Sequence, residues 1–386
     1  MAQENYQGPY YRYNVPLLRN TLSAAQSSAE NFGFVLKYAI KANNESRILK
    51  EIKSFGLGID CVSQEEIAHA IEHGWRPEEI VFAGSGKTIR ELRYALQQQI
   101  QVIHCESYEE WEIIRELKKE IPSRTQVALR LNPDLKVDTH EKISTGEKHH
   151  KFGMSFADAL TIINQDSTII GFHIHVGSQV LDMVYFEDLS LLVRSFIAQL
   201  PSNFTLRYLN LGGGLGISYE NPERYPIPDF DGWMRALRTH LPEEVIETIH
   251  LEPGRSIVGQ CGTLIGEVQY IKHRDTRPTA ILDVGMTELL RPALYGARHK
   301  VSVNNDQLIT TNYTVSGPTC ESSDKFGENY VLPTLSPGDL VTIHSVGAYG
   351  SSMRLSYNLR KPLNSVFIEE VVSTAFRPGI RKYLVA

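Results

Sequence analysis

Phe34-Val35-Leu36-Lys37-Tyr38-Ala39-Ile40-Lys41-Ala42-Asn43 is the stretch on which the fold turns. Its mostly apolar residues, Phe34 to Ile40, have the length of a buried strand, and they deliver one amine, Lys41, to the end of the run. Taken alone, Lys41 is a surface lysine just past a strand. Apolar walls around it would strip water from the ammonium, lower its pKa and leave a free amine able to attack a carbonyl, which is the chemistry of a Schiff base. Which reading holds depends on what else converges on that strand end.

Outward from this run, from Leu17 to about Glu252, short apolar or β-branched runs alternate with stretches of helical period, the signature of βα units and a parallel sheet. Strands are predicted at Phe34–Ala39, Leu57–Cys61, Ile80–Ala83, Gln101–Cys105, Val127–Leu131, Ile169–His175, Leu206–Leu211 and Thr248–Glu252. Helices are predicted between them, at Ser46–Phe55, Gln64–His73, Thr88–Gln98, Tyr108–Glu120, Phe156–Gln165, Tyr185–Leu200 and Asp231–Leu241, with Ser63-x-x-Glu66 reading as a capping box. Eight parallel strands with outer helices close into a (β/α)8 TIM-type barrel, an α/β fold whose reactive residues lie at the C-terminal strand ends. A doubly wound open sheet is the other architecture these runs allow. After Glu252 the texture changes to β-rich runs at Thr263–Ile271, Thr279–Asp283, Leu308–Ser316 and Asp339–Val346, punctuated by Gly and Pro. This predicts a mostly antiparallel β domain. The expected division is 17–255 for a cofactor-binding barrel and 256–386 for the β domain, with 1–16 added to the latter through the Tyr-rich Pro9–Val15.

Composition excludes several classes of partner. At 386 residues the chain exceeds one ordinary core of about 100 to 150 residues. Its net charge of −6 and pI near 6.1, without a dense Lys/Arg block, argue against nucleic acid and anionic membrane and favour a small-molecule site. The start, Met1 to Tyr10, lacks the features of a signal peptide, and no stretch approaches the ~18 apolar residues of a membrane span. Cys61, Cys105, Cys261 and Cys320 are far apart and lack metal-type spacing, which suggests reduced thiols. A soluble, unprocessed, cytoplasmic protein is expected.

The predicted strand ends carry polar residues that an apolar core would reject. The sixth strand ends in Phe172-His173-Ile174-His175-Val176-Gly177-Ser178, with two histidines pointing the same way. A metal pair and a satisfied core histidine are the ordinary readings, but no third ligand has compatible spacing, so an imidazole stacked on an aromatic cofactor is preferred and no metal is expected. The seventh ends in Asn210-Leu211-Gly212-Gly213-Gly214-Leu215-Gly216, a glycine turn able to close its N–H groups around a phosphate, weak evidence by itself. It lacks the spacing of a P-loop and comes too late to open a Rossmann unit. The eighth ends in Glu252-Pro253-Gly254-Arg255, which would finish the phosphate cradle and turn Glu252 into the barrel mouth. An amine, a stacking face, a phosphate cup and a carboxylate match the aldehyde, ring, phosphate and pyridine nitrogen of pyridoxal 5'-phosphate. A carboxylate against that nitrogen keeps the ring an electron sink for a carbanion at Cα.

The chain resembles the fold-type III pyridoxal-phosphate decarboxylases nearly end to end, and among them those that convert meso-2,6-diaminopimelate to L-lysine and CO2. The resemblance rests on Tyr38-Ala39-Ile40-Lys41-Ala42-Asn43, His175-Val176-Gly177-Ser178-Gln179, Gly212-Gly213-Gly214, Glu252-Pro253-Gly254-Arg255, Arg291-Pro292-Ala293-Leu294-Tyr295-Gly296, Cys320-Glu321-Ser322 and Gly347-Ala348-Tyr349. It implies a barrel plus a β domain and a head-to-tail homodimer whose Cys320 and Glu321 reach the partner's active site. It further implies that Lys41 carries the Schiff base, His175 stacks on the ring and Glu252 pairs the pyridine nitrogen. Ser178, Gly213, Gly214, Gly254, Arg255 and Tyr349 would bind the cofactor's phosphate end. Arg255, Arg291, Tyr295, Glu321 and Tyr349 would surround an amino-acid substrate, and Cys320, a thiol protonated near neutrality, would return a proton to Cα. For an isolated cysteine the commoner role is a small buried hydrophobe; for Arg291 and Tyr295 the ordinary roles are a surface ion pair and core packing.

Diaminopimelate carries an ammonium and a carboxylate at its far carbon. Arg291 could hold the carboxylate and Glu321 the ammonium, whereas ornithine or arginine, with a cationic tail only, would be repelled by Arg291. Decarboxylation of another basic amino acid (ornithine, arginine or carboxynorspermidine) is the alternative, and a non-catalytic regulatory homologue is a more distant one. Two segments depart from the family pattern. Val137–Gly153 resembles a mobile loop over the site but contains His149-His150, which a metal reading would notice; Arg354 adds a charge where small or apolar residues are expected.

Overall fold

The computed structural model describes residues 7–133, 151–242, 246–273, 277–303, 305 and 307–369. Strand β1, Tyr10–Asn14, leads into a helix at Val15–Phe32. Local chemistry sets the bounds of that helix. The Asn14 side chain accepts the N–H of Leu17 at 2.9 Å, Pro16 occupies the first turn, and Gly33 closes the helix in the left-handed conformation with its N–H on Ala29 O. Leu18, Leu22, Ala25 and Ala29 recur at four, three and four, and form its buried stripe.

Eight parallel strands follow: β2 (Phe34–Ala39), β3 (Gly58–Cys61), β4 (Ile80–Phe82), β5 (Val102–Cys105), β6 (Gln126–Leu131), β7 (Ile169–Ile174), β8 (Tyr208–Asn210) and β9 (Thr248–Leu251). They close into a barrel, the seam being β2 against β9 with Phe34 opposite Ile249. The TIM-type architecture expected from the apolar runs is the one observed. Outer helices lie at Ser46–Ser54, Gln64–Glu72, Ile89–Gln98, Tyr108–Glu120, Phe156–Gln165, Met183–Ile197 and Phe230–Arg238. The predicted capping box at Ser63 forms only in half. Ser63 Oγ accepts the Glu66 N–H at 3.1 Å, but the Glu66 carboxylate turns one residue back, to the N–H of Val62. Both halves form instead at Thr88 and Glu91.

The second sheet contains β10 (Gly262–Lys272), β11 (Thr279–Leu282), β12 (Val301–Val303), β13 (Thr310–Ser316), β14 (Lys325–Pro333), β15 (Leu340–Ile343) and β16 (Asn364–Ile368). Its order is β12-β15-β10-β11-β13-β14, and β1 pairs with both β10 and β16. The pairings are antiparallel except β1 with β16 and β11 with β13. The sheet meets the barrel at the turn that bears Lys41. Tyr349 N–H donates to Ala42 O at 2.8 Å, and Asn43 Nδ2 donates to Gly347 O at 2.8 Å and to the Tyr13 hydroxyl at 3.1 Å. A lysine at the end of β2 is therefore clamped from outside the barrel as well as from within.

Candidate active site

Inside the barrel Val81, Val102, Ala128, Ile170 and Tyr208 pack as one apolar layer. Toward the C-terminal strand ends the lining turns polar and centres on Glu252, just past β9 and buried. Glu252 Oε1 accepts from Asn210 Nδ2 at 2.7 Å and Oε2 from His173 Nε2 at 3.1 Å. Burial pushes its carboxyl upward, against the pull of Lys41, Asn210, Arg130 and Lys37. The His173 ring stacks on His104 at 4.0 Å, and burial holds both imidazoles far below the ordinary histidine range, hence neutral.

Spacing along the chain offered His173 no third ligand, and the fold corrects that. Ligand atoms of His104, His173 and Glu252 lie within 4.8 Å of one another. The partners come from β5 and the end of β9, beyond the reach of any local spacing. The rings are 16° from parallel, so their in-plane lone pairs run side by side instead of converging, and Asn210 already occupies one carboxylate oxygen. The arrangement suits a hydrogen-bond network better than an ion.

Lys41 sits in the single turn Ile40–Ala42 and faces a cavity of about 430 Å3, whose lining includes Arg130, Phe152, His173, His175 and Glu252. Its Nζ lies 3.1 Å from Asp60 Oδ2. The expected depression of its pKa does not occur. Burial acts in that direction, but Asp60, with Tyr349 and Glu252 beyond, outweighs it and raises the amine above its ordinary value. Asp60 itself is fully buried, and that burial, reinforced by Glu252, pushes it up to about 7 despite Lys41.

The glycine turn after β8 wraps the other side of the site. Gly212 has φ +66 and a Cβ there would stand 2.5 Å from His175 Nδ1, so only glycine fits. Gly213 N–H donates to His175 Nδ1 at 3.1 Å, which places the ring's proton on Nε2. That N–H is engaged by an imidazole, so what Gly213 gives the site is room: a Cβ would meet Glu252 O at 2.3 Å. Gly214 O accepts from Val180 N–H, and Gly254 abuts Ala39 and Ala42.

Two buried guanidinium groups follow. Arg255 donates to Ser178 Oγ through Nε (3.2 Å) and Nη2 (3.0 Å) and to the Tyr219 hydroxyl, with the Tyr349 ring 4.9 Å away. Arg291 lies 4.5 Å over the Tyr219 ring and donates to His299 Nε2 at 2.8 Å, while His299 Nδ1–H donates to His344 O. Among the described residues neither arginine has a carboxylate partner. Two desolvated cations without counter-ions mark places for two anions.

A barrel mouth with a lysine, a buried carboxylate and two anion-seeking arginines is the setting in which the comparisons fall. The family described as "Pyridoxal-dependent decarboxylase, pyridoxal binding domain" matches residues 18–259. The diaminopimelate decarboxylase of Bacteroides thetaiotaomicron is 39% identical over 373 residues, covering 95% of this chain and 97% of that one. The chain belongs to the pyridoxal-dependent decarboxylase family, in its diaminopimelate decarboxylase branch. The crystal structure of the Helicobacter pylori diaminopimelate decarboxylase complexed with L-lysine matches with a TM-score of 0.86 and 34% identity, over 95% of this chain and 93% of that one. The M. jannaschii enzyme, also in complex with L-lysine, gives 0.87 and 30%, over 95% and 88%.

The remaining residues singled out by the family resemblance are dispersed. Tyr295 ends the short helix Arg291–Tyr295, which Arg291 begins. Cys320 and Glu321 are exposed on the turn between β13 and β14, away from the cavity lining. Asn358 Nδ2 donates to Cys320 Sγ at 3.4 Å, and this contact, with that of the Tyr357 hydroxyl, draws the thiol below its usual range. Arg354 is exposed. Residues 137–150, including His149-His150, lie outside the described residues; Gly153 N–H reaches Glu106 Oε2 at 2.9 Å.

Sequence reasoning missed Asp60, His104 and Arg130, although each is the penultimate residue of its strand, as is His173. Asking of β3, β5 and β6 what was asked of β2 and β7 would have found them. Glu106, just past β5 and 2.6 Å from Arg130, is readable in the same way, whereas Tyr219 and His299 carry no such signal, because their importance arises from partners distant in sequence.

Proposed function

We infer that this protein decarboxylates meso-2,6-diaminopimelate to L-lysine and CO2 with pyridoxal 5'-phosphate as cofactor. The observation that carries the reading is the pair of buried arginines without carboxylate partners, one for the cofactor's phosphate and one for the substrate's distal carboxylate. The match to a pyridoxal binding domain over residues 18–259 supports the cofactor at this barrel, and the residues suit it: a lysine at the cavity, a glycine turn that no Cβ could occupy, and a buried carboxylate at the centre. When bound, the cofactor supplies an electron sink for the pair left at Cα as CO2 departs.

The chain's own residues divide the remaining work. Lys41 Nζ must lose a proton to act as a nucleophile, and Asp60 Oδ2, 3.1 Å away, is placed to take it. Glu252 keeps a negative charge at the ring-nitrogen position, supported by donors on both oxygens. Neutral His175 presents a flat face, its orientation set by Gly213 N–H. Arg255, Ser178 and Tyr349, with Gly213, Gly214 and Gly254 giving close approach, bind the phosphate end. Arg291 orients the far carboxylate of the substrate, with Arg255, Tyr295 and Tyr349 around it. Cys320 would protonate Cα and Glu321 would hold the distal ammonium. The family resemblance implies that they serve the site of a second copy in a homodimer, and their exposure in one chain suits that role.

The division 17–255 for the cofactor-binding unit and 256–386 with 1–16 for the other is part of this proposal, as is a cytoplasmic location, which suits four free thiols. No helix among the described residues is long and apolar enough to cross a membrane. The test is Arg291→Ala. KM for meso-diaminopimelate should rise by about 10- to 100-fold, the worth of a hydrogen-bonded charge pair, with borohydride-trappable cofactor retained. An unchanged KM contradicts the assignment.

A further inference from the structure

Beneath the roles assigned above, the barrel contains a closed hydrogen-bond circuit. Asn210 ends β8 and is completely buried. Its Oδ1 accepts the Gly212 N–H at 2.9 Å, while Nδ2 donates to Glu252 Oε1 at 2.7 Å and to the Tyr208 hydroxyl at 3.0 Å. These three contacts fix which way the amide faces. Turned over, it would set its oxygen against a carboxylate and its NH2 against an N–H. Because the Tyr208 oxygen accepts from Asn210, its single proton is left for His104 Nε2 at 2.9 Å. Neutral His104 then carries its proton on Nδ1, 3.8 Å from Glu252 Oε1. His173 holds the other carboxylate oxygen and stacks on His104. The backbone closes the circuit, since Glu252 N–H donates to Gly212 O at 2.8 Å and the next residue of the turn, Gly213, holds His175.

We propose that Asn210 is a positioning residue that locks the Glu252 carboxylate to the glycine turn, so that the ring-nitrogen end and the phosphate end of the cofactor site form one rigid body. The inference rests on the cofactor reading above. Among common side chains, an amide alone offers an acceptor to Gly212 and two donors, to Glu252 and to Tyr208, from a single short stem. Aspartate, of the same shape, would put a second acceptor 2.7 Å from Glu252 Oε1. The other groups facing Glu252 are Lys37 on β2, Lys41 after it, Asp60 on β3, His104 on β5, Arg130 on β6, His173 on β7 and Tyr208 on β8, and all of them are present unchanged in sequence in the Asn210 variants.

The experiment titrates apoenzyme with pyridoxal 5'-phosphate and then follows the bound cofactor's absorption against pH, for wild type, Asn210→Ala, Asn210→Asp and each combined with Glu252→Gln. Losing a donor to the ionised carboxylate, or gaining a like charge beside it, raises the pKa of Glu252. Both single variants should therefore bind cofactor about tenfold or more weakly and move the acid-side absorption midpoint to higher pH. In the Glu252→Gln background no further shift is expected. A midpoint coincident with wild type in a folded variant, or an equal shift without Glu252, overturns the proposal. Should neither asparagine variant fold, Tyr208→Phe decides. It leaves the Asn210 to Glu252 bond but removes the amide's second anchor, so a smaller shift in the same direction supports the proposal and no shift refutes it. If wild-type apoenzyme itself fails to take up the cofactor, the cofactor reading falls; normal uptake with unshifted variants sinks only the role of Asn210.

Discussion

Lys41 illustrates how far one residue's chemistry depends on its neighbours. The sequence places an amine beside apolar walls and predicts a lowered pKa; Asp60 at 3.1 Å reverses the sign. The ion pair stores the amine as ammonium and supplies, in the same contact, the base that can take its proton. Asp60→Asn removes the attraction and leaves burial to dominate, so the pKa of Lys41 should fall. Cofactor loading of Asp60→Asn apoenzyme, followed as a rate against pH, should then reach its plateau at lower pH than in wild type; an unshifted profile would show that Asp60 does not control the amine. Arg291 makes the complementary point. Its hydrogen-bond acceptor is the neutral His299, held down to about 3 by burial and by Arg291 itself, so the guanidinium keeps its full charge for a ligand.

At the scale of elements, β7 and β8 leave no room for a side chain at Gly171, where a Cβ would stand 1.8 Å from Tyr208 O. Gly171→Ala has to push the two strands apart just below Asn210. It should destabilise the fold by several kcal/mol, read as a lower urea midpoint, and weaken cofactor binding as well. Leu22→Ala on the helix Val15–Phe32 leaves a cavity far from the site, and should cost about 2–5 kcal/mol of stability with little change in cofactor affinity. The contrast separates packing from positioning. Elements of this kind were largely legible in sequence: all eight barrel strands lie on the apolar runs, because strands buried on both faces are continuous hydrophobic segments. Strands β12, β14 and β16 were not. Val301–Val303 is three residues long, Lys325–Pro333 is interrupted by Gly327 and by Asn329 at φ +60, and Asn364–Ile368 exposes part of every alternation. The site divides the same way. Lys41, Glu252, His175 and the glycine turn stand at strand ends and are readable there, whereas Tyr219 and His299 owe their place to loops that only the folded chain brings over Arg255 and Arg291.

For the molecule as a whole, the buried imidazoles set an acid limit. His250 and His299 are held at about 3, against roughly 6.5 when unfolded. A folded-state value depressed in this way means that the unfolded chain takes up protons first as pH falls, so stability present above about 6.5 is lost by ~1.4 kcal/mol per pH unit for each such histidine. His104, His173 and His175 act in the same direction. Asp60, raised to about 7, opposes them, since the native state binds its proton first over that range, and Glu252, Glu66 and Glu110, also raised by burial, act with it. With six imidazoles, His344 included, against these carboxyls, urea unfolding should show lower stability at pH 5.5 than at 7.5; equal stability would mean that these rings are not buried neutral. Shared sites make a second prediction at this scale. Lys41→Ala and Cys320→Ala subunits, each inactive, should regain part of the activity when mixed, whereas complete failure despite confirmed subunit exchange would contradict a dimer with composite sites. The most direct test of the central claim is CO2 release by the purified protein with pyridoxal 5'-phosphate, compared across meso-diaminopimelate, ornithine, arginine and carboxynorspermidine. The paired arginines predict a strong preference for meso-diaminopimelate that disappears with Lys41→Ala; equal or greater release from one of the others would contradict it.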